Sequence, residues 1–311
     1  MSDSEDFHDG PDDDLMAGLG RVAARYGTGP AEVVPTRPDV VIVRAGGVVV
    51  KAHAPGAPRE PLERRMRAVA HPALRGSMLG PVTEEVLSVG GRLVTVWPAG
   101  TPVDPAAPEA APWEESARLL ARLHAVPAGA LPPLPAAGGP GKVAAMAARL
   151  RGNPSAAARA ALVALACLPA LDAAPAPEAT GLTHGDWHMG QLVRTGEGWI
   201  LIDVDDLGVG DQAWDLARPA AWFAAGLLDP AVWHRFLTAY RAAGGLAAGV
   251  DGDPWERLNL PAQAMTVQLT AAAVIAAERE GRPLDEVEQT LVDTCQRIVQ
   301  FRTACHSVPT Q

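Results

Sequence analysis

Cysteine is nearly absent from this 311-residue chain, and the little there is lacks a pattern. Cys167, Cys295 and Cys305 fall in segments of helical character with no C-x-x-C spacing, so neither a disulfide framework nor a thiolate metal site is expected. No apolar run approaches the roughly eighteen residues that cross a bilayer without Gly, Pro or charge interrupting it, and acids stand near the N-terminus where a signal peptide would carry Lys or Arg. These absences predict a soluble, cytoplasmic protein with no membrane partner. Positive charge is short too: 26 Lys and Arg against 36 Asp and Glu leave a net charge of -10, too little clustered cation to hold a phosphate backbone. Nucleic acid is thereby excluded as an expected partner, and a neutral or cationic small molecule fits better.

What remains is rich in Ala, Gly, Pro and Arg and poor in Tyr, Asn and Lys, the signature of a high-GC coding bias, which makes Ala-rich stretches uninformative about function. Apolar residues make up 48%, enough to build a core for one large domain or two lobes sharing a cleft. Asp3, Glu5, Asp6, Asp9, Asp12, Asp13 and Asp14 crowd the start with no basic residue among them, so residues 1–20 read as a solvated, disordered acidic tail.

Periodicity divides the remainder in two. In DVVIVRAGGVVVKAH (39–53) two β-branched runs flank Ala45-Gly46-Gly47, a strong hairpin signal because Gly supplies the positive φ of a tight turn. EPLERRMRAVAHPAL (60–74) spaces Leu62, Met66 and Val69 as one helical face, with Pro61 suited to a first turn. EEVLSVGG and RLVTVWPAG add two strands, the second stopped by Pro98 and Gly100. Residues 21–100 therefore form a small antiparallel lobe with one helix. Beyond Gly100, a Pro-rich connector leads to WEESARLLARLHAVP (113–127) and a mainly helical lobe, 101–311, with helices expected over 141–168, 212–228, 231–243, 255–280 and 284–303. The last takes Leu284, Val287, Leu291, Ile298 and Phe301 as its apolar stripe. The fold class is α+β.

The stretch HGDWHMGQL (184–192) admits two chemistries. A zinc hydrolase would need His184 and His188 to converge on one ion with a third ligand, but Gly185 and Gly190 interrupt any helix that would bring the two rings together, and no third ligand suggests itself. Phosphoryl transfer would need an aspartate to orient or deprotonate a hydroxyl, an amide soon after it to hold magnesium, and a further aspartate beyond a hairpin. Asp186, Gln191 and Asp203, the last in the ILIDVDD that ends the hairpin segment 192–206, after its turn at 195–198, stand in that order.

HGDWHMGQL followed by WILIDVDDLGVGDQAWDLA is similar to the paired motifs of the aminoglycoside phosphotransferase and choline kinase-like superfamily, small-molecule kinases with a bilobal protein-kinase-like fold. LLARLHAVP resembles an early helix of that family's large lobe, and the likeness runs over roughly residues 36–300. It implies Asp186 as catalytic base, Asp203 as principal metal ligand, and His184 as a structural histidine that supports the loop. Gln191 stands where the family has Asn; one extra methylene moves the amide oxygen by about 1.5 Å and keeps the oxygen donor that magnesium prefers. The resemblance makes Lys51 the strand lysine for the nucleotide phosphates, with Glu63, or Glu60 beside it, as its helix partner. Trp97 to Gly100, including Ala99, becomes the hinge whose backbone meets the base. No G-x-G-x-x-G loop precedes the strand, so amides for the phosphates must come from a short Thr36-Arg37 turn. Asp205 and Asp206 face either the acceptor or solvent; Asp211 and Asp215 are expected to be structural, with Arg218 pairing one of them.

The implied reaction is ATP- and Mg2+-dependent transfer of a γ-phosphoryl group to a hydroxyl of an aminoglycoside-like antibiotic, sugar or amino alcohol. The alternative is a pseudokinase serving as a ligand-binding or regulatory module, motivated by Gln191 and the missing glycine loop. Lys51, Asp186 and Asp203 together favour the enzyme.

Overall fold

The computed structural model describes residues 13–36, 39–171 and 180–306. The acids ahead of Asp13, Arg37 of the 36–37 turn, the Pro-rich linker at 172–179 and the Cys305 side chain lie outside the described residues.

The described residues open with helix α1 (Asp13–Tyr26), so the tail expected over residues 1–20 gives way to helix from Asp13 onward. Asp13 and Asp14 sit in its first turn, where the exposed amides of a helix N-terminus stabilise negative charge, and Leu15, Leu19 and Ala23 recur along one face and are buried. That face covers a five-stranded antiparallel sheet made of β1 (Glu32–Val34), β2 (Val41–Ala45), β3 (Val48–Ala52), β4 (Leu87–Val89) and β5 (Arg92–Pro98), in the order β1-β2-β3-β5-β4. The hairpin expected over 39–53 is β2–β3, in the register Val43↔Val50 and Ile42↔Lys51. Val43, Val50, Ala52, Val94 and Val96 face α1, so strand alternation turns Lys51 to the opposite side, toward the cleft. Between β3 and β4, helix α2 (Arg59–Val69) sends Leu62, Met66 and Val69 into the core of the large lobe instead of into the sheet. The small lobe thus has two helices: α1 covers one face of its sheet, and α2 joins the core of the large lobe.

The large lobe opens with β6 (Thr101–Pro102) and α3 (Trp113–His124), followed by α4 (Gly139–Arg149) and α5 (Ala156–Ala166), which break at 150–155 the single helix expected over 141–168. Two small sheets then build the cleft floor. Strand β7 (Thr180–Thr183) pairs with β10 (Gly208–Asp211), and the hairpin β8 (Leu192–Thr195) with β9 (Gly198–Leu201) takes β6 on its free edge. Helices α6 (Ala217–Ala225), α7 (Pro230–Ala242), α8 (Trp255–Glu280) and α9 (Glu286–His306) complete the lobe. Helix α8 is long and apolar enough to cross a bilayer, yet 67% of its apolar window is buried within the protein, with α4, α5, α6 and α9 packed around it. Helix α9 buries Leu291, Val292, Cys295 and Ile298. Val287 and Phe301, expected in its stripe, are exposed, because the contact with α5 and α8 follows a seam rotated by about one residue.

Aromatic packing secures the floor. Phe236 on α7 is fully buried between Trp113, whose ring it meets edge-on at 6.0 Å, and Trp187 at 5.2 Å. Phe236→Ala should therefore cost about 3–5 kcal/mol in urea denaturation; a loss well under that range would show that α7 does not anchor the loop carrying Trp187.

Candidate active site

Two strand pairings bring two distant loops together. Because Thr183 is paired with Gly208 and Leu192 with Leu201, the loop 184–191 between β7 and β8 and the loop 202–207 between β9 and β10 span the same gap. Asp186 sits in the first, Asp203, Asp205 and Asp206 in the second, and β3 hangs Lys51 above them.

The 184–191 loop is fixed from below. Asp215, fully buried, accepts hydrogen bonds from the backbone N–H of His184 at 2.7 Å and of Gly185 at 2.8 Å, and contacts His124 Nε2 at 2.9 Å. His124 in turn meets the Tyr240 hydroxyl at 2.7 Å. Gly185 has φ +84, and a Cβ there would stand 2.2 Å from the Asp206 carbonyl oxygen, so the middle residue of HGD has to be glycine. His184 Nε2 bonds the Ile202 carbonyl at 2.8 Å, tying one loop to the other, as the resemblance implied. His188 Nδ1 instead accepts the Gly190 N–H at 3.0 Å, so the two rings a zinc site would need serve separate partners.

Asp203 is the only non-glycine residue at positive φ, +71, among the described residues, a backbone conformation that Asp tolerates better than most and that recurs at functional sites. One of its oxygens takes Lys51 Nζ at 2.8 Å; the other lies 3.2 Å from the Gln191 side-chain amide nitrogen. Turning that amide by 180° would present its oxygen beside the carboxylate. Asp203 and Gln191 therefore offer adjacent hard oxygen donors and fit a magnesium ion, which is held by one or two carboxylates and completes its shell with water and phosphate oxygens. Burial would raise the Asp203 carboxyl, but Lys51 outweighs it and holds the acid well below the usual carboxylate range.

Lys51 is shared with Asp205 at 2.9 Å, and Asp205 also meets His53 Nδ1 at 2.8 Å. Burial would lower the Lys51 ammonium; Asp203 and Asp205 hold it above its ordinary value. The expected partner is not the one found. Glu63 pairs with Arg59 at 3.1 Å, and Glu60 with Arg64. Since α2 commits Leu62 and Met66 to the core, it brings Arg65 to the site, donating to the Leu207 carbonyl at 2.8 Å. At the hinge, Trp97 Nε1 bonds Thr95, while the Ala99 N–H donates to the Gly47 carbonyl at 2.8 Å and so closes the sheet end instead of standing free.

Asp186 is flanked by cations. Lys142 on α4 lies 2.6 Å from one of its oxygens and Arg218 on α6 3.3 Å from the other. Burial would raise this carboxyl, but Lys142 and Arg218 hold it below the ordinary range. Arg218 was expected on Asp211 or Asp215; Asp211 pairs with Arg257 and caps the turn after β10. Asp206, at 2.7 Å from Lys142, is pushed up by burial despite that contact. Neither Asp205 nor Asp206 is simply solvated. Sequence reasoning missed Lys142, His53 and Arg65. A usable signal existed for the first: the chain has only two lysines, Lys51 and Lys142.

The sequence model of the phosphotransferase enzyme family matches residues 37–258. A search of curated proteins finds no match. Among solved structures, choline kinase from Streptococcus pneumoniae aligns with TM-score 0.60 at 13% identity, over 90% of this chain and 96% of that one. An aminoglycoside phosphotransferase from Streptomyces rimosus aligns with TM-score 0.56 at 22% identity, over 82% and 98%. A further aminoglycoside phosphotransferase, solved as a thermostable mutant with AMP-PNP and hygromycin B, aligns with TM-score 0.57 at 13% identity, over 91% and 97%.

Two measurements test this geometry. Asp215→Ala leaves two buried amides unpaired and should cost roughly 2–6 kcal/mol in denaturant unfolding, at about 1–3 for each donor. Burial, with Arg218 nearby, lowers His188 from 6.5 to about 4. A histidine depressed in the fold favours the native state when neutral, so its contribution is present above pH 6.5 and lost as pH falls toward 4. Melting temperature should drop across that window and drop less in His188→Gln; identical profiles would show that His188 titrates as it does unfolded.

Proposed function

The chain belongs to the phosphotransferase enzyme family, and from that premise we propose that it transfers the γ-phosphoryl group of ATP to a hydroxyl of a small molecule. The observation that carries this reading is the placement, across one gap between paired strands, of Asp186 on one loop and the Lys51–Asp203 pair beside the other. Asp203 and Gln191 would hold magnesium, which supplies charge neutralisation on the phosphate oxygens. Lys51, a compact ammonium already desolvated, holds the non-transferred phosphates. Asp186 accepts the hydrogen bond of the acceptor hydroxyl, orients its oxygen for in-line attack and takes its proton as the new bond to phosphorus forms and the bond between the γ-phosphorus and the bridging oxygen breaks, with ADP as the leaving group. No covalent intermediate on the protein is required.

The acceptor enters from the large-lobe side, past α4 and α8, and the class we propose is an aminoglycoside-like antibiotic, sugar or amino alcohol. Proteins of similar fold include a choline kinase and aminoglycoside phosphotransferases, which supports small polyhydroxyl or amino-alcohol acceptors. An ATP-consuming reaction of this kind belongs in the cytoplasm.

Calorimetric titration with a non-hydrolysable ATP analogue should give micromolar binding that depends on magnesium; absence of binding with either ATP or GTP analogues would favour a ligand-binding module that has lost catalysis. Asp186→Asn should keep nucleotide affinity and lose about 100- to 10,000-fold in turnover. Unchanged turnover would remove Asp186 as the base.

A further inference from the structure

The 24 other basic side chains among the 26 are arginines; lysine occurs twice, and both copies lie over the same group of four aspartates. Lys51 bridges Asp203 and Asp205, and Lys142 bridges Asp186 and Asp206. In a sequence whose other basic side chains are all arginines, two ammonium groups at two such bridges point to a geometric demand: a compact point charge between two carboxylates, a place that the planar guanidinium fork suits less well.

Lys142 is also held where it stands. It occupies the first turn of α4, and the chain ahead of that turn is pinned to the cleft floor: Ala137 N–H donates to the Val209 carbonyl at 3.0 Å, Val209 N–H to the Pro135 carbonyl at 2.9 Å, and Gly138 N–H to the Asp206 carbonyl at 3.2 Å. A Cβ on Gly138 would lie 2.2 Å from the Asp206 carboxylate, so the helix start presses directly on the loop. Around Asp186 the charged groups are Lys142 from α4, Arg218 from α6, His188 from its own loop and Asp206 behind Lys142. Arg218 makes a longer contact, and its Nε is buried without a partner among the described residues. Lys142 is the tighter clamp.

We infer that Lys142 is a positioning residue for phosphoryl transfer: by bridging Asp186 and Asp206 it aims the base carboxylate and ties it to the helix that lines the acceptor side. This rests on the phosphotransfer reading above and adds to it a second lysine. Acceptor entry along α4 then bears on the base directly, because any shift of α4 moves Lys142 against Asp186.

The two-lysine composition supplies its own probe. Protein labelled at lysine 13Cε gives two ε resonances, assigned with Lys51→Arg and Lys142→Arg. Asp186→Asn should move the Lys142 resonance and lower its titration midpoint while leaving Lys51 in place, and magnesium with the ATP analogue should move both. In turnover, Lys142→Met should lower kcat on the order of tenfold or more with little change in KM for nucleotide, and Lys142→Arg should recover part of the loss. The acid limb of the Lys142→Met pH profile should rise by roughly one to three units, the effect of a cation withdrawn from a carboxylate. A Lys142 resonance indifferent to Asp186→Asn, or wild-type kcat and acid limb in Lys142→Met, overturns the role of Lys142 alone. Failure of both resonances to respond to nucleotide, with no heat of binding, overturns the phosphotransfer reading and the role together.

Discussion

A buried carboxylate with no solvent must be given donors, and in this protein that requirement fixes the HGD loop. Asp215 is 1% exposed, and its oxygens are satisfied by two consecutive backbone amides of the HGD turn and by His124. Because the donors are backbone groups, the acid specifies the path of the loop and not just the position of one side chain. The left-handed Gly185, the outward aim of Asp186 and the hydrogen bond from His184 to Ile202 all follow from that path. Tyr240 and α7 hold His124, so the aromatic packing of the large lobe reaches the HGD loop through three successive hydrogen bonds, Tyr240 to His124, His124 to Asp215 and Asp215 to the loop amides.

Above this anchor the charges are arranged in two matched groups. Lys51 stands against Asp203 and Asp205, with the His53 ring hydrogen-bonded to Asp205; Lys142 and Arg218 stand against Asp186 and Asp206. Four carboxylates this close would repel strongly if unpaired, and the cations between them let most of the acids remain ionised in a desolvated cleft. Asp206 differs in direction only: its carboxyl is raised, by burial first and then by Asp186 and Asp203 beside it. The arrangement divides by lobe: Lys51 comes from strand β3 of the small lobe, Lys142 from the first turn of α4 in the large one.

The site was legible in sequence wherever its parts are local. HGD, the hairpin 192–201 and the aspartate after it are contiguous motifs, and the Lys51 strand declared itself by β-branched alternation around a glycine turn. What escaped depends on long-range approach. Glu63 is at the right distance along the chain to pair with Lys51, but the core face of α2 is set by Leu62, Met66 and Val69, and that rotation delivers Arg65 instead. Lys142 lies in an Ala-rich stretch, and nothing nearby in sequence reveals that Pro135 to Gly138 docks on β10. Helix α1 was hidden for a compositional reason: the acids that suggest a tail also make a good first turn, and the burial of Leu15 and Leu19 depends on a sheet that forms later in the chain.

The scarcity of lysine has a practical side. Amine-directed chemistry, whether acylation, biotinylation, coupling to a resin or enzymatic acetylation, normally spreads over many harmless surface positions. Here, apart from the chain's own α-amine, the amines on offer are the two that neutralise the aspartates of the cleft. Both are largely shielded, with side-chain exposures of 11% and 27%. Such reagents will therefore react slowly with the folded protein, and reaction at either lysine will strip a charge from the site itself.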